Sequence, residues 1–153
     1  MKVVAANRRA YAKYHILETY EAGLVLKGPE VKSIRAGRAN LQDSFGRVED
    51  EEAYLFNAHI APYESGGRYG YVEPTRRRKL LLHKPEIKRL MGKLIAKGLS
   101  LIPLEIYFSD KGVAKVKLAL AKRKTGPDRR EDIRKKELGR ELRREFKGRH
   151  RIR

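Results

Sequence analysis

The sequence predicts a mainly β chain with helices, of the α+β class: a small antiparallel barrel of about six strands, one packed amphipathic helix, and a basic C-terminal tail. Three observations predict it. Short β-branched and aromatic runs are separated by turn residues at hairpin spacing. One stretch, Pro85 to Lys97, carries apolar residues at helical period. Charge is unevenly divided, with fifteen Lys and Arg against six Asp and Glu in residues 121–153, which therefore carry half of the formal +18. A length of 153 residues suffices for one core. The expected division is a barrel over 1–120 and a tail over 121–153.

Residues 1–13 are short, polar and basic, either an arm that touches phosphate or a frayed end. From Tyr14 to Gly28 the residues favour two strands, broken by a bend or bulge at Glu21-Ala22-Gly23, the second stopped by Gly28-Pro29. Pro29 suits the first turn of a helix, Glu30 to Ala36, ended by Gly37. Val31 and Ile34 then face inward, and Lys32 and Arg35 share another face. Leu41 to Val48 and Ala53 to Ile60 read as strands. The four carboxylates between them, Glu49 to Glu52, read as a solvated hairpin tip, because no calcium-loop spacing is present.

Glu64 to Thr75, with Gly66, Gly67, Gly70 and Pro74, reads as a surface loop. Tyr63, Tyr69 and Tyr71 either stack on bases or pin that loop to the core. Arg76-Arg77-Arg78-Lys79 then enters the strand Leu80 to Leu82 and reads as a phosphate-binding patch. In the helix Pro85–Lys97, Ile87, Leu90, Met91, Leu94 and Ile95 form the apolar stripe, with Gly98 at the stop. Two strands, Leu99 to Phe108 and Gly112 to Leu120, alternate with period two, so each is expected to bury one face and wet the other. Antiparallel strands with hairpin connections argue for closure into an OB-like barrel, with the helix over an open end.

The tail offers only Ile133, Leu138, Leu142, Phe146 and Ile152 as large apolar side chains. Alone it cannot offset its ordering entropy, so it is expected to order on a polyanion. A net charge of +18 points to such a partner: RNA, DNA or an anionic membrane. A membrane fits poorly, since no run of about 18 apolar residues exists. The first residues are too polar for a signal peptide and the chain has no cysteine, so a cytoplasmic protein is expected. His15, His59, His83 and His150 stand singly without metal-ligand spacing. Asp43-Ser44 lacks a visible partner, and no Walker A loop is present. No enzyme, metal or cofactor is expected. Two other readings are a structural ribosomal protein and an RNA-processing enzyme using Asp43 or Glu49–Glu52.

From Tyr20 to Gly37 the chain reads YEAGLVLKGPEVKSIRAG, and this run resembles the small protein B family. The likeness continues through Asn40–Phe45, His59–Tyr63, Arg78–Lys84, Gly98–Phe108 and Ala114–Val116, spanning about residues 7–135. The resemblance implies an OB-type barrel that holds the tRNA-like domain of transfer-messenger RNA and delivers it, with elongation factor Tu, to stalled ribosomes for trans-translation. It places Asn7, Arg8, Glu21, Lys32, Arg35 and Lys79 where family members contact or brace the RNA. With neighbouring residues, the implied RNA-binding set gains Arg9, Tyr14, Arg77, Arg78, Leu81 and Lys124. A carboxylate such as Glu21 on that face is expected to accept from base N–H groups or to orient a neighbouring cation. Asp128, Arg129, Arg130, Arg134, Lys135 and Lys136 resemble the family's ribosome-contacting tail, helical in the empty mRNA channel. The chain departs from the family pattern over Arg123 to Pro127, where Pro127 suits a helix start at Asp128.

Overall fold

The computed structural model describes residues 2–63 and 72–124. The chain divides after Arg123 into two units, and apart from Lys124 the second lies outside the described residues. The elements run β1 (Lys2–Ala6), α1 (Ala10–Lys13), β2 (Tyr14–Leu24), α2 (Gly28–Arg35), β3 (Ala39–Asn40), β4 (Phe45–Glu49), β5 (Glu52–Phe56), β6 (His59–Ile60), β7 (Arg78–Leu81), α3 (Lys84–Lys97), β8 (Ser100–Phe108) and β9 (Ala114–Arg123). Six of these strands close a ring in the order β8, β4, β5, β7, β2, β9 and back to β8, every pairing antiparallel. β1 adds along the far half of β8, and β3 pairs only with β6.

Inward residues follow the pleat. Ala22 and Leu24, Ala53 and Leu55, Leu80, Leu101, Val116 and Leu118 form one core. Each fully buried Leu contributes about 1.5–3 kcal/mol of transfer free energy. The helices cover opposite ends of the ring. α3 inserts Leu90 and packs Leu94 beside the start of β8. α2 buries Ile34 and lays Arg35 over Phe108, where β8 ends. Closure is narrowest where β4 meets β8, at the pair Gly46 and Leu101. A Cβ on Gly46 would lie 2.6 Å from a methyl of buried Leu101, so only glycine permits this seam.

Several expectations change. β2 is one strand of eleven residues, and its irregularity lies between Ile16 and Glu18 rather than at Gly23. Gly23 instead packs closely, since a Cβ there would lie 3.2 Å from that of Leu81. β8 wets almost nothing: a bulge between Pro103 and Glu105 adds a residue at Leu104 and reverses the alternation. Leu101 and Ile106 therefore face the main core. Ile102 and Leu104 face outward into a second cluster, capped by Ala10 of α1 and bordered by Ala119 and Ala121. That second cluster also explains why β9 runs past Leu120 to Arg123.

The N-terminal residues form neither a free arm nor a frayed end, since β1 pairs with β8 and α1 crosses the outer face. The Glu49–Glu52 region is the expected hairpin tip, with Asp50 and Glu51 at φ of 50° and 62°, matching strand twist in a two-residue turn. Leu41–Val48 and Ala53–Ile60 are each interrupted. Asp43 (φ 63°) separates β3 from β4, and Asn57 (φ 60°) separates β5 from β6. The Pro85–Lys97 helix is present one residue longer. The backbone N–H of His83 donates to Glu86 at 3.1 Å, and Gly98 ends the helix at φ 59°.

One buried ion pair joins these parts. Arg78 is fully buried, and its Nε donates to Glu30 Oε2 at 2.6 Å. Its other nitrogens donate to the carbonyls of Ala58 (2.7 Å), Pro74 (2.9 Å) and Arg76 (3.1 Å). Glu30 also accepts from Nε and Nη2 of Arg76, one edge of its guanidinium, and from the Lys27 N–H at 2.8 Å. Burial pushes the Glu30 carboxyl up, but Arg76, the Lys27 amide and Arg78 together outweigh it and hold the pKa below its ordinary value. Removing one partner of such a pair strands the other. Glu30→Ala is therefore expected to cost about 3–5 kcal/mol in urea unfolding. Because the folded pKa is depressed, this contribution is complete above the ordinary carboxylate range and disappears as pH falls through the lowered value. A wild-type and Glu30→Ala pair with the same pH profile below pH 5 would contradict the assignment.

Candidate nucleic-acid interface

Outward residues of β2, β8 and β9 form the first part of the site. Glu21 lies opposite Lys117, two register positions from the Gly23–Lys115 pair, and Tyr107 stands on β8 opposite Lys115. Lys115 Nζ donates to Glu21 Oε1 at 2.7 Å, and the Tyr107 hydroxyl donates to Oε2. The bond from Lys115, then that from Tyr107, holds the Glu21 carboxyl below its ordinary value. Tyr107 is pushed far above the usual phenol value, first by burial and then by the Glu21 carboxylate. At neutral pH Glu21 is thus a carboxylate and Tyr107 a neutral phenol. Both oxygens of Glu21 are engaged within the protein, which favours its role as the orienter of a cation. Lys115 and Tyr107 did not stand out in the sequence. The period-two pattern of β9 was the available signal, but the partner depends on the β2 register.

Beside this cluster lies an apolar patch. Leu81 is 54% exposed and lies against Gly23, and Val25 is 44% exposed. α2 supplies the next cations, Lys32 and Arg35, three residues apart on its outer side. Lys32 Nζ sits 5.4 Å from the centre of the Tyr63 ring, and the Arg35 guanidinium 5.3 Å from that of Phe108. Rings under the cations leave their outer sides turned to solvent.

The run Arg76–Lys79 is not the four-cation patch expected. Arg78 is corrected outright: alternation along β7 turns it inward with Leu80, and its charge is satisfied inside, out of reach of phosphate. Arg76 is held by Glu30. Arg77 and Lys79 do face outward, paired with Glu49 at 3.1 Å and Glu52 at 3.0 Å, and Arg77 also lies 4.4 Å from the Tyr54 ring centre. Such half-exposed pairs are worth only about 0–1 kcal/mol, so phosphate can compete for these two cations.

At the N-terminus Asn7 is buried. Its backbone N–H donates to Leu104 O at 2.7 Å and its side-chain amide to Pro103 O at 3.0 Å, a brace on the β8 bulge rather than an open contact. Arg8 and Arg9 are exposed beside it, Tyr14 is half-buried at the start of β2, and Lys124 is exposed after β9. Asp128, Arg129, Arg130, Arg134, Lys135 and Lys136 lie outside the described residues, as do Tyr69 and Tyr71. The structure thus gathers Glu21, Lys32, Arg35 and Leu81 toward one end of the ring. Arg77 and Lys79 continue that surface along β7. Among the described residues no cluster of His, Asp or Glu could hold a metal, and no helix is long and apolar enough to cross a membrane.

The chain as a whole has counterparts among known proteins. The family described as SmpB protein matches residues 4–148. The chain belongs to the SmpB protein family. Its relatives include an SsrA-binding protein of Pelotomaculum thermopropionicum, 59% identical over 99% of this chain and 98% of that protein. One from Desulforudis audaxviator is 59% identical over 96% of this chain and 95% of its own. A solved SmpB-type chain, from "tmRNA-SmpB: a journey to the center of the bacterial ribosome", is 57% identical. It covers 85% of this chain and 91% of its own, at a TM-score of 0.69.

The Glu21 cluster makes its own prediction. In an NMR titration, Glu21 should protonate below the ordinary glutamate value, and Lys115→Ala should move that midpoint upward. A midpoint unmoved by Lys115→Ala would mean that the two side chains do not meet in solution.

Proposed function

We propose that this chain is a non-catalytic RNA-binding protein that holds the tRNA-like domain of transfer-messenger RNA and delivers it to stalled ribosomes for trans-translation. The observation that carries this reading is whole-length similarity, 59% identity over 99% of the chain, to a protein named for binding SsrA. The basic end of the ring supplies the chemistry. Double-helical RNA hides its bases in a deep, narrow groove, so a protein grips it by shape, phosphate and 2′-hydroxyl contacts. Lys32 and Arg35 from α2, Lys115 from β9, and Arg77 and Lys79 from β7 are cations on a rigid frame. Arg8 and Arg9 add two more beside α1. Glu21 fixes where Lys115 points, and Leu81 offers an apolar contact for a sugar or an unstacked base. Asn7 acts from inside, by bracing the strand under the site.

The remaining roles follow from the family reading. The tail, with Asp128, Arg129, Arg130, Arg134, Lys135 and Lys136, tests whether mRNA fills the decoding channel, since an empty channel presents rRNA phosphates that a basic helix can line. Elongation factor Tu joins in the delivery complex. The protein works in the cytoplasm and needs no metal or cofactor.

Deleting 128–153 should leave affinity for transfer-messenger RNA near normal while abolishing peptide tagging in a reconstituted system; tagging at full rate would refute the division of labour. Affinity itself should fall about 10³-fold or more between 50 and 200 mM salt, as several phosphate contacts require. A flat salt response would remove the electrostatic basis.

A further inference from the structure

The ring carries a second feature that the RNA grip described above does not use. β4 stands opposite β2 in the ring, three strands away by either route, so its outer side faces away from Glu21 and Lys115. There Phe45 and Phe56 stack with ring centres 5.4 Å apart and planes 4° apart. The Arg47 guanidinium lies 5.5 and 5.4 Å from those two centres, and its side chain is 58% exposed. Among the described residues its nearest carboxylate oxygen, on Glu49, is 3.7 Å away, too far for a hydrogen bond. The row continues across the sheet, since Arg47 is in register with Tyr54, whose ring carries Arg77.

Next to this row a cleft of about 490 Å³ opens between α3 and the starts of β2, β4 and β8. Tyr14, Phe45, Arg47, Leu94, Ile95 and Ile102 are among its walls. Ile95, on its rim, is 79% exposed, an unusual position for an isoleucine on a helix whose other exposed residues are charged or small.

We propose that this wall is a second RNA site, one that takes unpaired nucleotides. A base stacks on the Arg47–Phe45–Phe56 platform or enters the neighbouring cleft, and the adjoining phosphates meet Arg47. Planar guanidinium and aromatic faces accept any base, whereas duplex RNA buries its base faces in its own stack. Charge selects the occupant. A cleft with an arginine at its mouth, on a chain of +18, suits a polyanion carrying apolar faces better than a neutral peptide or a second equally basic copy. The site goes beyond the proposed grip on transfer-messenger RNA and does not depend on it.

The test uses the full chain and a ten-nucleotide single-stranded RNA containing 2-aminopurine, whose fluorescence reports stacking, with a duplex of equal length as competitor. The wild type should quench the probe, and the duplex should compete poorly. Arg47→Ala should weaken binding about tenfold, and Arg47→Lys nearly as much, because the lysine keeps the charge and loses the planar face. Being solvent-exposed, Arg47 can be changed without touching the core. The double variant Lys32→Ala, Arg35→Ala should leave the probe affinity within about twofold, and Arg47→Ala should do the same for the tRNA-like domain, because distant sites act independently. Full binding by Arg47→Lys, or equal competition by the duplex, would overturn the proposal. So would loss of the probe with Lys32 and Arg35 instead of Arg47. Methyl signals of Ile95 and Met91 that ignore the probe but shift with protein concentration would mark a self-association surface and overturn it as well. Failure of the transfer-messenger RNA reading would show separately, as a Lys32→Ala, Arg35→Ala protein whose grip on the tRNA-like domain is unimpaired.

Discussion

The Glu30–Arg78 pair is the constraint on which the rest of the described structure depends. It ties α2 to β7, two elements 48 residues apart in sequence, and through Arg78 it also holds the carbonyls of Ala58, Pro74 and Arg76. Taking both charges from water costs several kcal/mol per ion, and only full hydrogen bonding offsets that. Here it is full: every buried side-chain nitrogen and oxygen among the described residues has a partner. An apolar pair of similar volume could stabilise the ring as well. It could not hold three loop carbonyls in place while setting the angle at which α2 presents Lys32 and Arg35. The pair therefore sits on the link between packing and function, since it commits one cation of the basic run to positioning two others.

Closure supplies the second constraint. Among the described residues each of the six ring strands is paired on both sides, and the outer edge of the sheet passes to β1, which lies along β8. Closure also gives the protein opposed outer walls from one short sequence. On the wall built from β2 and β9, a carboxylate is surrounded by donors and serves as an anchor. On the wall built from β4 and β5, arginine guanidinium groups lie over aromatic rings. In the proposed reading the same residue types serve RNA in different ways on the two, through phosphate geometry on one and base faces on the other. Gly46 makes this possible by letting β4 approach β8 at Leu101, so a backbone without a side chain fixes where the second wall begins.

Much of this was legible in the sequence. The α3 stripe, the Glu49–Glu52 tip, the closed antiparallel sheet and the outward pairing of Lys32 with Arg35 follow from local periodicity and turn chemistry. What was not legible depends on register. The bulge at Leu104 inserts a single residue, and nothing local distinguishes it from unbroken alternation, yet it turns Ile102 and Leu104 outward and creates the surface that α1 covers. Arg78 read as a phosphate ligand because three cations adjoin it. Only the inward parity of β7, fixed by its pairing with β5 and β2, reveals that it is buried. Asn7 likewise reads as an arm residue unless β1 is known to pair with β8. Lys115 and Tyr107 were invisible as partners of Glu21 for the same reason, since each lies more than 80 residues away.

The central claim is that Arg78 positions the RNA-binding face without touching RNA, and counting counterions tests it most directly. The slope of log affinity against log salt for transfer-messenger RNA should be compared between wild type and the charge-neutral double replacement Glu30→Gln, Arg78→Met. A single Lys32→Ala replacement calibrates the scale, at a change of about 0.7–0.9 for each phosphate no longer neutralised. The account predicts an unchanged slope for the double replacement, even where absolute affinity falls through misplacement of α2. A slope reduced as much as in Lys32→Ala would mean that Arg78 reaches phosphate after all, and would contradict the account.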